Sequence, residues 1–263
     1  MIPTLVFDLE TLPDVAGLRA LHPEHAGLDD EELLALIQAE RRERTGSEFL
    51  PLHLQRIAAI GCVFRDAQGF RVKCLGTVDD TEASLVQAFF KTIDRYTPQL
   101  VSWNGSGFDL PVLHYRAMVY GVPAARYWDL GDDDRDFKYN NYISRYHTRH
   151  LDLMDVLAKY AGRGAAPLDQ MAKLCGFPGK LGMDGSQVWS AWQAGRRNEV
   201  RAYCETDVVN TWLLTLRFRH MRGQLTREAY NSEIDLVRQT LSELPGEHWR
   251  EYLAAWPDNG GRL

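Results

Sequence analysis

Cysteine is scarce in this 263-residue chain: Cys62, Cys74, Cys175 and Cys204 stand far apart and form no CxxC pair. That spacing argues against a zinc knuckle and a disulfide framework, so the thiols are expected as small buried fillers in a reducing, cytoplasmic compartment. No stretch approaches the roughly 18 consecutive apolar residues of a membrane span. The short apolar start, Thr4 to Phe7, has no basic segment before it and meets Asp8 at once, so a signal peptide is not expected. Cationic excess is absent as well: 30 Lys and Arg face 36 Asp and Glu, a formal net charge of −6. On bulk charge alone this does not look like a protein that coats nucleic acid. There is no internal repeat, no low-complexity tract and no linker long enough to split the chain.

What is present is an ordinary globular mixture, 45% hydrophobic, 25% charged and 11% aromatic, long enough to fill a sizeable core. Thr4 to Phe7 reads as a buried strand whose last residues, Asp8-Leu9-Glu10, surface at a sheet edge. A long excursion from Pro13 to Gln55 carries "LDDEELLALIQAERRERTG", acidic at its start and basic at its end, the charge order that suits a helix dipole. Arg56 to Phe64 and Phe70 to Val78 read as strands joined by a turn at Asp66 to Gly69. Helix follows over Thr81 to Tyr96, strand over Leu100 to Trp103, helix over Leu110 to Tyr120 and a short strand at His150 to Leu153. From Pro167 onward the pattern is mostly helical, with the main loop at Gly176 to Gly185 and further C-terminal helices over about 220 to 256. Three antiparallel-style strands followed by alternating helices and strands describe one α/β domain, residues 1 to 263, with a mixed five-stranded sheet.

Three segments carry chemistry. Asp8 and Glu10 lie two apart on a strand, so both carboxylates project from one face. D-x-E alone is common, and a solvated strand end is the plain reading. At the end of a buried apolar strand, however, two repelling carboxylates make sense chiefly when a divalent cation neutralises them. In "WNGSGFDLPVL", Asp109 opens a helix after the strand end at Asn104-Gly105, where helix capping is the competing role. In "YCETDVVNTWLL", Tyr203 and Asp207 are four apart and share a helix face.

Taken together, FDLET (Phe7 to Thr11), NGSGFDLPVL (Asn104 to Leu113) and YCETD (Tyr203 to Asp207) resemble the three exonuclease motifs of the DEDD superfamily. The closest likeness is to the proofreading domain of family B DNA polymerases. The tyrosine branch is indicated because Tyr203 stands four residues before the last Asp, while Ala202 fills the position of the histidine branch. The resemblance implies a ribonuclease H-like fold and a free-standing 3′-5′ exonuclease acting on single-stranded DNA ends. It also implies two Mg²⁺ or Mn²⁺ ions held by Asp8, Glu10, Asp109 and Asp207, with Tyr203 orienting the attacking water. The alternatives are an exoribonuclease of the same fold and a non-catalytic nucleic-acid-binding module, which would be expected to have lost one or more carboxylates.

Substrate contacts are read from chemistry and position. Leu12 is placed against the terminal base by resemblance, or else is a buried staple before Pro13. Phe108 is a stacking residue or a core one, and Asn104 hydrogen-bonds a nucleotide or forms a turn. "KYNNYISRYHTRH", Lys138 to His150, holds cations and tyrosines without an acid, and nominates Tyr142 and Arg145 for single-strand contacts. Lys180, among Gly176, Gly179, Gly182 and Gly185, is within reach of a phosphate although the glycine spacing is not a phosphate loop. Asp152 is expected to cap the helix after it, and "RFRHMRGQLTR", Arg217 to Arg227, to be a solvated helix end.

Overall fold

The computed structural model describes residues 2–263, centred on a mixed sheet of order β3-β2-β1-β4-β5. The strands are β1 (Thr4–Pro13), β2 (Gln55–Asp66), β3 (Gly69–Cys74), β4 (Gln99–Ser102) and β5 (His150–Asp152). β1 to β3 form an antiparallel meander, and β4 and β5 add in parallel on the other side of β1. Helices α1 (Val15–Leu21), α2 (Asp30–Thr45), α3 (Glu82–Tyr96), α4 (Asp109–Tyr120), α5 (Ala125–Trp128) and α6 (Leu153–Leu157) intervene. After β5 and α6 come α7 (Leu168–Leu174), α8 (Val188–Gln193), α9 (Arg197–Met221), α10 (Arg227–Glu243) and α11 (Glu247–Ala255). This is the ribonuclease H-like arrangement.

Strand periodicity divides β1 between two layers. Leu5, Phe7 and Leu9 face α3 and α4, packing with Phe89, Phe90 and Leu113. Val6 faces the opposite layer, where α9 supplies Val208, Val209 and Trp212, with α10 and α11 behind it. Asp8 shares the parity of Val6, and its carboxylate is approached by Cys204 of α9. β1 is therefore the central strand, and the expectation that Asp8 and Glu10 surface at a sheet edge is corrected. The acids emerge because β4 stops at Ser102 while β1 runs on to Pro13, opening a crevice beyond the carboxyl end of a parallel pair.

The excursion after β1 builds a small core of its own from Leu18, Leu33, Leu34, Ile37, Leu50 and Leu54. α2 starts on a capping box, Asp29 with Glu32, and ends on Gly46 in the left-handed conformation, φ 78°. The basic stretch that begins in the last turns of α9 is less solvated than expected. Arg219 donates to Thr4 Oγ1 and Gln99 Oε1, and Arg217 to the Gly261 and Cys175 carbonyls, so both tie α9 to neighbouring segments.

Candidate active site

The site starts with a backbone problem. Beyond Ser102 there is no β4 to receive the β1 amide of Leu9, and a buried N–H needs an acceptor. Asp109 supplies it: Leu9 N donates to Asp109 Oδ1 at 2.9 Å. Asp109 is the first residue of α4 and the helix has no side-chain cap at Phe108, so its carboxylate is not a cap. That one bond brings the second motif against the first. Asp152 fixes the approach from below, accepting from Asn104 N at 3.0 Å and Ser106 N at 2.8 Å while also capping α6 through Asp155 N.

α9 completes the cluster. Tyr203 and Asp207 share the face turned toward β1, and both are buried. Lys180 reaches in from the loop before α8, its Nζ 2.5 Å from Asp207 Oδ2 and 2.5 Å from the Tyr203 hydroxyl. The loop is held by Asn210, which accepts from Gly179 N at 3.2 Å and donates to Gly179 O at 2.8 Å. Asp169 accepts from Lys180 N at 2.8 Å. Asp207 Oδ1 is the exception in this well-bonded region: it is buried without a hydrogen-bond partner among the described residues.

Electrostatics reinforce that exception. Burial, then the Asp109 and Asp207 charges, hold the Asp8 carboxyl well above the usual range. Burial, then Asp8 and Asp207, do the same to Glu10. Burial pushes Asp109 up to about 7, and it raises Asp207 although Lys180 opposes it. One ammonium cannot balance these four carboxylates, three of them buried, and an unpartnered carboxylate oxygen is costly. Oxygen donors of this kind fit a hard divalent cation, which Asp8, Glu10, Asp109 and Asp207 would hold. Cys204 Sγ also lies close to Asp8 and Glu10. Its thiol donates to the Asp8 carbonyl and burial keeps it protonated, so it is not a ligand of the same kind.

The cluster forms the floor of a cleft of about 980 Å³. Phe108 and Asn104 line it, Asn104 in the left-handed region at φ 69°. Opposite them the excursion contributes Gln38, Glu48 and Phe49, and α8 contributes Trp189. Phe49 is 53% exposed, with its ring centroid 6.0 Å from that of Phe108. Sequence reasoning passed over Phe49; a lone aromatic in the polar run "TGSEFLP" was the available signal.

Three nominated substrate residues lie elsewhere. Leu12 is 1% exposed and packs with Ala58, Val188, Val200 and Tyr203, which leaves it no surface for a base. Tyr142 is 2% exposed, its hydroxyl donates to Pro98 O at 2.6 Å and its ring stacks on Tyr127 at 5.5 Å. It belongs to the core under α3 and α5, while Tyr139 and Tyr146 of the same segment stay exposed. Arg145 makes a two-pronged ion pair with Asp155 and lies beside a separate pocket rather than the cleft.

Gly61 controls how closely α9 approaches. It stands opposite Asp8 in the β1–β2 register, and a Cβ there would lie 2.8 Å from both the carbonyl oxygen and Sγ of Cys204. Gly61→Ala is expected to push α9 outward with Tyr203 and Asp207. A shift near 1 Å can cost about 10²-fold in turnover. Steady-state hydrolysis of an end-labelled strand checks this; unchanged turnover would mean that α9 tolerates the methyl.

Residues 47–256 match the family described as a predicted 3′-5′ exonuclease related to the exonuclease domain of PolB. The match takes in Asn104 to Leu113 and Tyr203 to Asp207, and begins after Asp8 and Glu10. A DNA polymerase of Archaeoglobus fulgidus is 24% identical over 149 residues, 56% of this chain and 19% of the polymerase. A DNA polymerase of Pyrococcus glycovorans is 25% identical over 230 residues, 82% of this chain and 28% of the polymerase. The similarity thus spans under a third of either relative. With more than three quarters of its length matched, the chain belongs to this family of predicted 3′-5′ exonucleases related to the PolB exonuclease domain.

Proposed function

We propose that the protein removes nucleotides from the 3′ ends of single-stranded DNA, with Mg²⁺ or Mn²⁺ held as a pair by Asp8, Glu10, Asp109 and Asp207. The observation that carries this reading is the buried, unpartnered Asp207 Oδ1 beside three more carboxylates raised by burial. The bound cations supply charge neutralisation at the reacting phosphate and acidify water.

The chain's own residues do the rest. Tyr203 is held above its ordinary pKa by burial and by the Asp207 and Glu10 charges, so it is a neutral phenol at working pH and no general base. Lys180 donates to the Tyr203 oxygen, so the phenolic hydrogen points away from Lys180, toward Asp207 and any water held beside it. Burial alone would lower Lys180, but Asp207 and Tyr203 outweigh it and keep the ammonium charged. It therefore adds a fixed positive charge beside the phosphate. Phe49 and Phe108 give an unpaired end aromatic surface at the mouth of the cleft. DNA rather than RNA is favoured because the relatives are DNA polymerases.

The test is digestion of end-labelled single- and double-stranded DNA and RNA with Mg²⁺ or Mn²⁺, beside Asp207→Ala and an EDTA control. Stepwise shortening of single-stranded DNA from its 3′ end is expected, abolished in both controls. Full activity in EDTA or in Asp207→Ala would sink the metal site, and faster loss of RNA would make the protein an exoribonuclease.

A further inference from the structure

A second pocket of about 500 Å³ opens on the far side of the loop that carries Asp109. Asn104 and Met154 line both the cleft and this pocket, while Ser106, Gly107 and Leu110 face only the second. The loop from Asn104 to Phe108 is therefore a partition with the carboxylate cluster on one flank and the pocket on the other. A strand lying in the cleft and crossing Asn104 has the pocket as its continuation.

We propose that this pocket takes one unpaired nucleobase of the substrate strand, from a nucleotide upstream of the scissile phosphate. The inference rests on the exonuclease reading and deepens it. The lining fits a flat, neutral, hydrogen-bonding ligand better than an ion. Trp128 lines the pocket and is 50% exposed, a large apolar side chain half open to solvent. The ring of His114 sits 4.8 Å from that of Trp128, and its Nε2 is buried with no hydrogen-bond partner among the described residues. Burial holds His114 down to about 4, so the ring is neutral at working pH. The charged groups here are already satisfied. Arg145 and Asp155 neutralise each other, and the Asp152 carboxylate is spent on the Asn104, Ser106 and Asp155 amides. A phosphate would find no free cation deep in the pocket, whereas a base would find an indole and a neutral imidazole in the lining. Arg145, stacked over Tyr160 with its guanidinium 5.0 Å from the ring centroid, stands at the rim where the backbone of such a nucleotide would pass.

A base reaches this pocket only when splayed out of a duplex, so the pocket gives single-strand selectivity a physical cause. It also requires that affinity depend on strand length. A mononucleotide occupies the cleft alone, and a strand long enough to cross Asn104 fills both.

Equilibrium binding of 5′-labelled oligothymidylates of two to eight nucleotides is measured by anisotropy in EDTA, which prevents cleavage. Hydrolysis of thymidine 5′-(p-nitrophenyl phosphate) is measured with Mn²⁺. The parent protein is expected to show a step in affinity at one length. Trp128→Ala is expected to lose that step, weakening the longer strands by about 5- to 150-fold, the range for one base stacked on an aromatic ring. It should leave hydrolysis of the mononucleotide ester within about twofold. Trp128→Phe keeps an aromatic face and is expected to retain most of the step. A Trp128→Ala length profile identical to the parent's, with the ester still hydrolysed, would overturn the pocket assignment and leave the exonuclease reading standing. A parent protein that hydrolyses neither ester nor strand would overturn the reading on which the assignment rests.

Discussion

Asp8→Asn is expected to cut turnover by at least about 10³-fold and, in metal-free buffer at pH 8, to raise the melting temperature by roughly 3–10 °C. The two effects have one origin. Asp8, Glu10, Asp109 and Asp207 are all held above their ordinary pKa values, each with burial as the leading cause. A carboxyl raised by folding contributes stability that is fully present below its unfolded pKa and is lost as pH rises through its folded pKa. For Asp109 that window runs from 3.8 to about 7, and the cost of ionising it in the folded protein at pH 8 is of the order of 4 kcal/mol. His114 and His150, lowered to about 4 by burial, act in the opposite sense. Their contribution is complete above 6.5 and is lost as pH falls toward 4. Between pH 6.5 and 8, therefore, the carboxylates set the slope of these core groups, and metal-free protein should lose stability as pH rises.

Mn²⁺ should restore that lost stability in the parent, more at pH 8 than at pH 6.5, because binding to the folded state alone stabilises it. Asp8→Asn should respond weakly, having given up one ligand. Thermal unfolding at the two pH values, with and without Mn²⁺, reads all of this. A variant that melts below the parent in EDTA would mean that the acids do not repel across the site, and a variant that hydrolyses DNA normally would remove Asp8 from the chemistry.

The elements that carry the cluster were legible because each follows a local rule. Two acids two apart on an apolar strand must share a face, and a tyrosine and an acid four apart on a helix must do the same. α2 was readable for a similar reason: its acidic start and its basic end before Gly46 are written within one stretch. The place of β1 in the sheet was not readable, since its central position depends on β4 returning along its far side about ninety residues later. Leu12 shows the same limit at the scale of one side chain. An apolar residue after Glu10 serves a base or the core depending on where α8 and α9 lie, and they lie over it. Lys180 could be seen to reach toward a phosphate, but its grip on Asp207 depends on Asn210 holding the loop at Gly179, thirty-one residues away. Tyr142 failed for a different reason: composition cannot tell which side of an aromatic, basic segment turns inward.

Arg116→Ala is expected to cost about 3–5 kcal/mol of stability, the measured range for opening a buried ion pair from one side. Nothing in the sequence announces this residue, yet it ties together the segments that frame the cleft. Arg116 lies two turns beyond Asp109 on α4 and is almost fully buried. Its Nε and Nη2 each reach a Glu82 carboxylate oxygen at 2.7 Å, and Nη1 reaches Asp14 at 2.5 Å. Glu82 also accepts from Ile57 N and the Tyr120 hydroxyl, so its charge serves β2 and α4 together. Asp14 follows the last residue of β1 and caps α1. Removing the guanidinium leaves two buried carboxylates facing each other, and a drop in melting temperature of roughly 10 °C follows. Lysine should not restore it, because a single ammonium cannot bridge Glu82 through two parallel bonds and still hold Asp14. A second consequence separates this from ordinary core damage. Asp109 begins the same helix and is joined to β1 by the Leu9 amide, so a slackened α4 loosens one wall of the carboxylate cluster. At a temperature where Arg116→Ala remains folded, the Mn²⁺ concentration needed for half-maximal hydrolysis should rise several-fold. A variant that melts early but titrates with Mn²⁺ like the parent would confine Arg116 to stability.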